Sequence, residues 1–260
     1  VASDRGNDTL SIFRIDPETR QLTDITAADL ADPAFSIFGV DDGEQTAYGL
    51  ATYTSIQDGS QYVFTTQRDG AQVAQLRLAD AGNGTVTAEV IRTLPFDVPA
   101  NADPEDFQSE GIVVDRETGV GYVAIEGEVG ILKFDAEPSG SDTYEVVASI
   151  DEPYLRPDIE GLTLYYGANG SGYLLASSQG DSTFAVFDRQ TNAYLGSFAI
   201  GNASGVDAVE ESDGADIINV PLGDAFPNGL LIVQDGSNEP STVFQDLEDG
   251  EIQNFSANFK

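Results

Sequence analysis

Residues 156–181, RPDIEGLTLYYGANGSGYLLASSQGD, contain two short apolar runs separated by glycine, asparagine and serine. Apolar and aromatic runs bounded by turn-forming residues are typical of strands, and two such runs joined by a short polar loop predict a β-hairpin. Asp158 and Glu160 come directly before the first run. The stretch therefore predicts a strand that begins among acidic side chains.

The same hairpin pattern recurs along the chain, and a third and a fourth run follow it. Helical periodicity is scarce. A unit of four antiparallel strands that repeats about every 50 residues predicts the blades of an all-β fold, the β-propeller. The first runs are 48–54, 110–115, 160–166 and 216–222, and the second runs are 61–66, 121–125, 172–177 and 229–234. The third runs are 73–78, 130–134, 184–188 and 252–259, and the fourth runs are 88–94, 144–150 and 194–200.

The N-terminal residues 1–16 repeat only the second and third runs, so the repeat amounts to about four blades plus a partial one. We expect residues 1–260 to form a single, incomplete propeller domain, completed by sequence outside these residues or by a second chain. Unpaired strand edges are usually covered in natural proteins, so we expect two chains to pair edge to edge or to exchange a segment. A two-sheet β-sandwich is the alternative fold, but it does not explain the repeat.

The amino-acid composition limits the binding partners and the catalytic groups that the protein can use. Asp and Glu number 45 against 11 Lys and Arg, a formal net charge of −34, which would repel nucleic acid. The absence of Cys and His excludes thiolate and imidazole nucleophiles and zinc–sulfur sites. No apolar stretch is long enough to cross a bilayer, so we expect no membrane partner. The sequence begins at Val1 without Met, which indicates a processed or excised piece from which any signal peptide has gone. We also expect a secreted or periplasmic protein.

The repeat also predicts where polar side chains meet. In a four-stranded blade, the innermost strand begins on the face where the hairpin between the second and third strands turns, so side chains at both places should line one mouth of the channel. Crowded carboxylates there would favour a bound Ca²⁺, and arginines would suit phosphate or carboxylate groups. The strand entrances are Tyr48, Glu110, Glu160 and residues 213–216, and the hairpins carry Arg5, Arg68, Glu126, Gln179 and Asp235.

Simpler interpretations stay open for several of these residues. Most of the acidic residues can serve solubility or salt adaptation, and a single Arg is most often part of a surface ion pair. The acidic stretch 207–216 lacks EF-hand spacing, and its Asp-Gly step also suits a turn. Residues 235–239, DGSNE, suit either a turn or a structural calcium loop.

Residues 158–190 closely resemble the β-propeller phytases, which are calcium-dependent enzymes that remove phosphate from inositol hexakisphosphate (phytate). The resemblance extends through ASDR (2–5), YGLATYTS (48–55), SEGIVVD (109–115), ILKFDAEPSG (131–140) and VQDGSN (233–238). It implies a six-bladed fold, of which this chain would lack the first blade or so, and phosphate release by water that attacks phosphorus directly. It also implies Ca²⁺ as the cofactor.

The resemblance implies a role for each matching residue. Arg5 and Arg68 would bind substrate phosphate, although the family usually has Lys at the position of Arg68. Asp207 and Asp235 match acidic residues that hold structural calcium, and we expect Glu110, Glu160 and Tyr48 to be catalytic. The residues that match the surroundings of the active-site calcium cluster are Tyr48, Glu110, Glu126, Asp158, Glu160 and Asp213.

The sequence also departs from the family. Two acidic or amide-rich motifs and a pair of adjacent lysines, which in the family precede the position of Val1, have no counterpart here. This favours weakened activity, and it keeps open an alternative function as a non-catalytic or auxiliary phytate- and calcium-binding domain of a tandem phytase. Such a domain would pair with a complete phytase domain. A propeller used for protein contacts is a third hypothesis.

Overall fold

A computed structural model describes residues 1–32, 34–39, 46–100, 102, 104–127, 129–202 and 207–237. Within these residues the protein consists of β-strands and short 3₁₀ turns, without an α-helix. The chain divides into two compact units, Val1–Ile150 and Asp151–Lys260. Whether residues 1–260 act as a single domain stays a prediction.

The described residues of the first unit form two four-stranded sheets and, in the N-terminal region, two two-stranded sheets. The partial N-terminal region has β1 (Ala2–Asp4) paired with β2 (Thr9–Ser11), and β3 (Phe13–Ile15) paired with β4 (Leu22–Asp24). The first complete sheet consists of β5 (Ala47–Thr54), β6 (Gln61–Gln67), β7 (Gln72–Gly82) and β8 (Thr85–Pro95). The second consists of β9 (Ser109–Asp115), β10 (Val120–Ile125), β11 (Gly130–Asp135) and β12 (Tyr144–Ser149).

In the second unit, the described residues form one complete sheet and one hairpin. The sheet consists of β13 (Ile159–Tyr166), β14 (Gly172–Ser178), β15 (Thr183–Asp188) and β16 (Tyr194–Phe198). The hairpin consists of β17 (Ala215–Ile218) and β18 (Leu230–Val233). In all three four-stranded sheets the strands are antiparallel and neighbours in space follow the order of the chain.

These sheets confirm the predicted repeat of four antiparallel strands. Two details differ from the prediction. Strand β4 was missed because its three residues are all exposed and give no alternating apolar signal. The predicted strand 216–222 ends at Ile218, because the Asn219 side chain bonds to the Tyr166 carbonyl and Pro221 has no N–H for a ladder. The predicted strand 252–259 lies outside the described residues.

Apolar layers hold the sheets of the first unit together. Phe64 of β6 packs against Phe134 of β11, with ring centres 5.5 Å apart, and both side chains are buried. Each such buried aromatic side chain contributes about 1.5–3 kcal/mol. A second cluster joins Leu10 and Leu30 of the N-terminal region to Val63 of β6. The sheets therefore stack face to face through their side chains.

Glycines allow two innermost strands to approach the next sheet closely. A Cβ atom at Gly49 of β5 would lie 2.3 Å from the carbonyl oxygen of Glu110 in β9. A Cβ atom at Gly161 of β13 would lie 2.7 Å from the backbone nitrogen of Ala215 in β17. Only glycine fits at either position without displacement, so these contacts fix the spacing of the strand entrances within each unit.

Candidate functional site

Two hairpins have nearly the same backbone geometry at the predicted phosphate-binding edge. Arg5–Asn7 forms a 3₁₀ turn between β1 and β2, and Gln179–Asp181 forms one between β14 and β15. Both turns end in a left-handed residue, Asp8 with φ 48° and Ser182 with φ 53°. Arg5 and Gln179 thus occupy equivalent positions in different blades, as the repeat predicted.

Arg5 lies beside Tyr48 in the first unit. The guanidinium carbon is 4.9 Å from the centre of the Tyr48 ring, within range of a cation–π interaction. Tyr48 is half-buried in β5, whereas Arg5 is exposed. Within the described residues the Arg5 guanidinium forms no ion pair and no hydrogen bond. It therefore has unused N–H donors that could receive an anion.

Glu110 and Glu126 converge on one amide group. Glu110 is the second residue of β9 and is only 5% exposed, and Glu126 follows the last residue of β10. The Gln108 amide nitrogen donates a hydrogen bond to Glu110 Oε1 and another, of 3.0 Å, to Glu126 Oε2. The Glu126 backbone N–H also donates to the Gln108 carbonyl, at 2.8 Å. Two carboxylates thus share one neutral donor in a largely buried setting.

Arg68 lies on the hairpin between β6 and β7, and this hairpin contacts the side-chain amide of Gln108. The backbone N–H of its neighbour Asp69 donates to Gln108 Oε1 at 2.8 Å. Arg68 Nε is 3.9 Å from Asp69 Oδ1, and about a third of the Arg68 side chain is exposed. A long, partly exposed ion pair of this kind contributes little, so the Arg68 side chain could move to bind an anion at small cost.

In the second unit, the predicted acidic residues surround the start of β13. Glu160 is buried, with 7% exposed, and Asp158 is half-buried. The Gln179 backbone N–H donates to the Asp158 carbonyl at 2.9 Å, and Gln179 Nε2 donates to Asp213 Oδ1 at 2.6 Å. The Asp213 N–H in turn donates to Gln234 Oε1 at 2.7 Å. The structure therefore brings Asp158, Gln179 and Asp213 together, as the repeat predicted within this unit.

The two residues predicted to hold structural calcium are placed differently. Asp235 lies two residues after the end of β18, and its Oδ1 accepts a hydrogen bond from the Glu210 backbone N–H at 3.2 Å. Asp207 lies half-buried in the irregular segment before β17. No hydrogen bond joins Asp207 to another candidate residue in the described part of the chain. That the candidate residues of both units line a single channel mouth stays a prediction.

Sequence reasoning missed the amides that organise these carboxylates. Gln108 and Gln234 are neutral, so the search for charged clusters did not single them out. The position of Gln108, two residues before Glu110 at the start of an innermost strand, was a usable signal. Gln234 likewise lies directly before Asp235.

The donor set suits a hard cation. Carboxylate, carbonyl and amide oxygens are the ligands that Ca²⁺ prefers, and its flexible coordination tolerates irregular geometry. Glu110 and Glu126 share the Gln108 amide as a hydrogen-bond donor. Because this amide is neutral, it does not offset the negative charge of the two carboxylates. These residues therefore fit a calcium ion.

The chain belongs to the phytase family, whose family model matches residues 1–258. Over 241 residues it is 36% identical to the 3-phytase of Bacillus subtilis (strain 168). This alignment covers 92% of the chain but 58% of that relative, so the chain spans little more than half its length. The family resemblance predicted from the sequence is confirmed, and the four-stranded sheets are blades of the β-propeller type.

Solved structures overlap less closely with this chain. The periplasmic gluconolactonase PpgL of Pseudomonas aeruginosa is 16% identical, with a TM-score of 0.47 over 89% of this chain and 52% of that one. The β-propeller domain of Cps50 (Swd1) from Myceliophteria thermophila is 10% identical, with a TM-score of 0.42 over 81% of this chain and 57% of that one.

In the described residues, no helix has the length and apolar character needed to cross a membrane.

Proposed function

We propose that this chain binds calcium and hydrolyses phosphate monoesters of phytate. The observation that carries the proposal is its membership of the phytase family, with 36% identity to a 3-phytase over 92% of the chain. Two features of the first unit support it: the convergence of Glu110 and Glu126 on one buried amide, and the contact of Arg5 with Tyr48. A phytase needs both a negative site for a cation and positive groups for phosphate.

Each candidate residue has a proposed role. Arg5 and Arg68 bind and orient substrate phosphates, since a guanidinium presents forked donors to two oxygens at once. Asp207 and Asp235 hold structural calcium. The residues proposed to hold active-site calcium are Glu110 and Glu126 in the first unit and Asp158, Glu160 and Asp213 in the second unit, and Tyr48 of the first unit is a further candidate. When bound, calcium supplies neutralisation of substrate charge and a lowered pKa for water.

The proposed reaction is a direct displacement. The oxygen of water forms a bond to phosphorus as the bond between phosphorus and the inositol oxygen breaks, which releases phosphate and an inositol hydroxyl group. Arg5 and Arg68 stabilise the negative charge on the phosphoryl oxygens that do not react. Glu110, Glu160 and Tyr48 position the reacting groups. The sequence contains no Cys or His, and this route needs no covalent enzyme intermediate.

A phosphate-release assay on calcium phytate tests the proposal. We expect turnover near neutral or alkaline pH with saturating calcium, none with excess chelator, and a loss of activity in Glu160→Ala. Absence of release from the parent at saturating calcium contradicts the enzymatic proposal. Binding of inositol hexasulfate without turnover supports the alternative function, a phytate- and calcium-binding domain that pairs with a complete phytase.

The place and partners of the protein are further proposals. We propose a secreted or periplasmic protein that contacts neither nucleic acid nor membrane. Within the described residues, β1 pairs only with β2 and β18 only with β17. These edges support association of two chains, edge to edge or by exchange of a segment. A monomeric mass in light scattering at high protein concentration contradicts the association.

A further inference from the structure

We propose that Gln108 is a positioning residue that holds Glu110 and Glu126 ready for calcium. This inference rests on the proposed function, because it concerns the same metal site. Gln108 lies directly between the 3₁₀ segment Pro104–Phe107 and β9, and the residue is 9% exposed. It is not among the residues that the charge pattern or the family resemblance singled out.

Within the described residues, the side chain of Gln108 makes three hydrogen bonds, with Glu110, Glu126 and Asp69. The two hydrogens of its amide nitrogen go to Glu110 Oε1 and Glu126 Oε2, one to each carboxylate. Its Oε1 accepts the Asp69 N–H from the Arg68 hairpin. These neighbours also fix which way the amide faces, because the flipped amide would set an oxygen against two carboxylates and an N–H against an N–H.

The neutral charge of Gln108 matters for a cation site. An Arg or Lys in its place would also hold the two carboxylates together, but its positive charge would compete with the metal ion for binding to the carboxylates. An apolar residue would let the carboxylates repel each other and move apart. An amide restrains both groups without adding a positive charge of its own. Partners of this kind, which orient metal ligands, typically contribute about 10- to 100-fold in metal affinity.

The same residue couples the metal site to the phosphate-binding hairpin. Asp69, whose N–H donates to Gln108, is the neighbour of Arg68 in sequence. The Ser109 N–H donates to the Gly70 carbonyl at 3.0 Å, which ties the hairpin to β9 a second time. Gln108 therefore sets the position of the Arg68 turn relative to the carboxylate pair.

Calorimetric titration of the chelator-treated chain with calcium chloride tests the inference. We expect Gln108→Met, which keeps the side-chain length but removes the three side-chain hydrogen bonds, to lower calcium affinity about 10- to 100-fold. Gln75→Met is the matched control. Gln75 is fully buried in the same unit, donates to the Ala136 carbonyl and accepts from Arg92, and within the described residues it forms no hydrogen bond with Glu110 or Glu126. This control should lower the melting temperature but leave calcium affinity unchanged.

The outcomes separate the inference from the proposed function. A parent that binds no calcium overturns both. A parent that binds calcium while Gln108→Met binds it equally well, or while Gln75→Met loses as much affinity, overturns only the positioning role. Where Gln108→Met does not fold, Gln108→Asn keeps the amide but is too short to reach both carboxylates, and the same loss is expected.

A double variant measures the coupling between Gln108 and Glu126 in calcium affinity, which a general loss of stability does not change. If Gln108 acts through Glu126, then Gln108→Met combined with Glu126→Gln should lose less affinity than the product of the two single losses. Losses that multiply fully would show that Gln108 acts independently of Glu126, and they would overturn the inference.

Discussion

The Arg5 guanidinium carbon lies 4.9 Å from the centre of the Tyr48 ring, so a residue of the first hairpin rests on a residue of the innermost strand β5. An exposed cation–π contact contributes about 0.5–1 kcal/mol, or a factor of about two to five in an equilibrium. The ring therefore orients Arg5 before any phosphate arrives. This gives Tyr48 a role that does not depend on its hydroxyl group.

We accordingly predict that Tyr48→Leu weakens binding of inositol hexasulfate about two- to fivefold through Arg5, in addition to any loss of calcium. Tyr48→Phe keeps the ring and should retain the Arg5 contribution. Titration at fixed saturating calcium measures both variants. Tyr173→Leu, which removes one ring of the Tyr165–Tyr173 stack in the second unit, is the control. Equal weakening in Tyr48→Phe and Tyr48→Leu would contradict the ring's role.

The two candidate phosphate-binding arginines should respond differently to lysine. Arg5 makes no ion pair within the described residues and uses its planar face on Tyr48, so Arg5→Lys loses both the stacking and the forked donors. Among the described residues, the Arg68 side chain has only a long ion-pair contact, with Asp69, and the sequence resemblance implies that Lys can take its place. We predict about a tenfold rise in KM for phytate in Arg5→Lys and a smaller rise in Arg68→Lys.

The control for this pair is Arg77→Lys. Arg77 of β7 forms an exposed salt bridge of 2.7 Å with Glu89 of β8. Its replacement by Lys should leave the KM for phytate unchanged. A larger KM effect in Arg68→Lys than in Arg5→Lys would reverse the assignment of the stronger phosphate contact.

The repeat could be predicted from sequence because its signals are local. Alternating apolar residues and glycine-rich turns mark each strand, and the predicted entrances Tyr48, Glu110 and Glu160 indeed lie at the start of β5, β9 and β13. The bonds among side chains could not be predicted. Gln108 meets Glu126 and Asp69 only after three strands have paired, and nothing in the spacing of those residues along the chain indicates it.

A buried carboxylate outside the candidate site joins the two complete sheets of the first unit. Glu137 is 3% exposed and accepts hydrogen bonds from the hydroxyl groups of Tyr53 and Ser55, each at 2.5 Å, and from the Ile56 N–H at 3.1 Å. Burial, together with the hydrogen bond and the charge of Glu137, raises the pKa of Tyr53 to about 12. The ordinary value for the unfolded chain is about 10.

This shift predicts how stability depends on pH. A group whose pKa is higher in the folded state stabilises the fold fully below the unfolded pKa, and the contribution disappears as pH rises through the folded pKa. The free energy of unfolding should therefore fall between pH 10 and about 12. Denaturant titrations across this range should show a shallower fall in Tyr53→Phe. An unchanged slope in that variant would assign the fall to other tyrosines, such as Tyr62, whose pKa is also raised by burial.

Gly49 provides a test of how strand spacing governs the candidate site. A methyl group at this position would lie 2.3 Å from the Glu110 carbonyl oxygen and 2.8 Å from the Thr66 hydroxyl, so β5 and β9 would have to separate. We predict that Gly49→Ala lowers the free energy of unfolding by about 1–3 kcal/mol, the usual cost of overpacking. Because Glu110 itself moves, calcium affinity should fall as well.

Gly201→Ala is the matched control, since a methyl group there meets no atom within 4 Å and the φ angle lies outside the left-handed region. It should change neither stability nor calcium affinity. Thermal melts with and without calcium, beside a calcium titration, measure both quantities for the two variants. A Gly49→Ala protein that is destabilised but binds calcium like the parent would mean that the Glu110 carboxylate does not depend on the distance between β5 and β9. That result would separate the packing of the sheets from the assembly of the metal site.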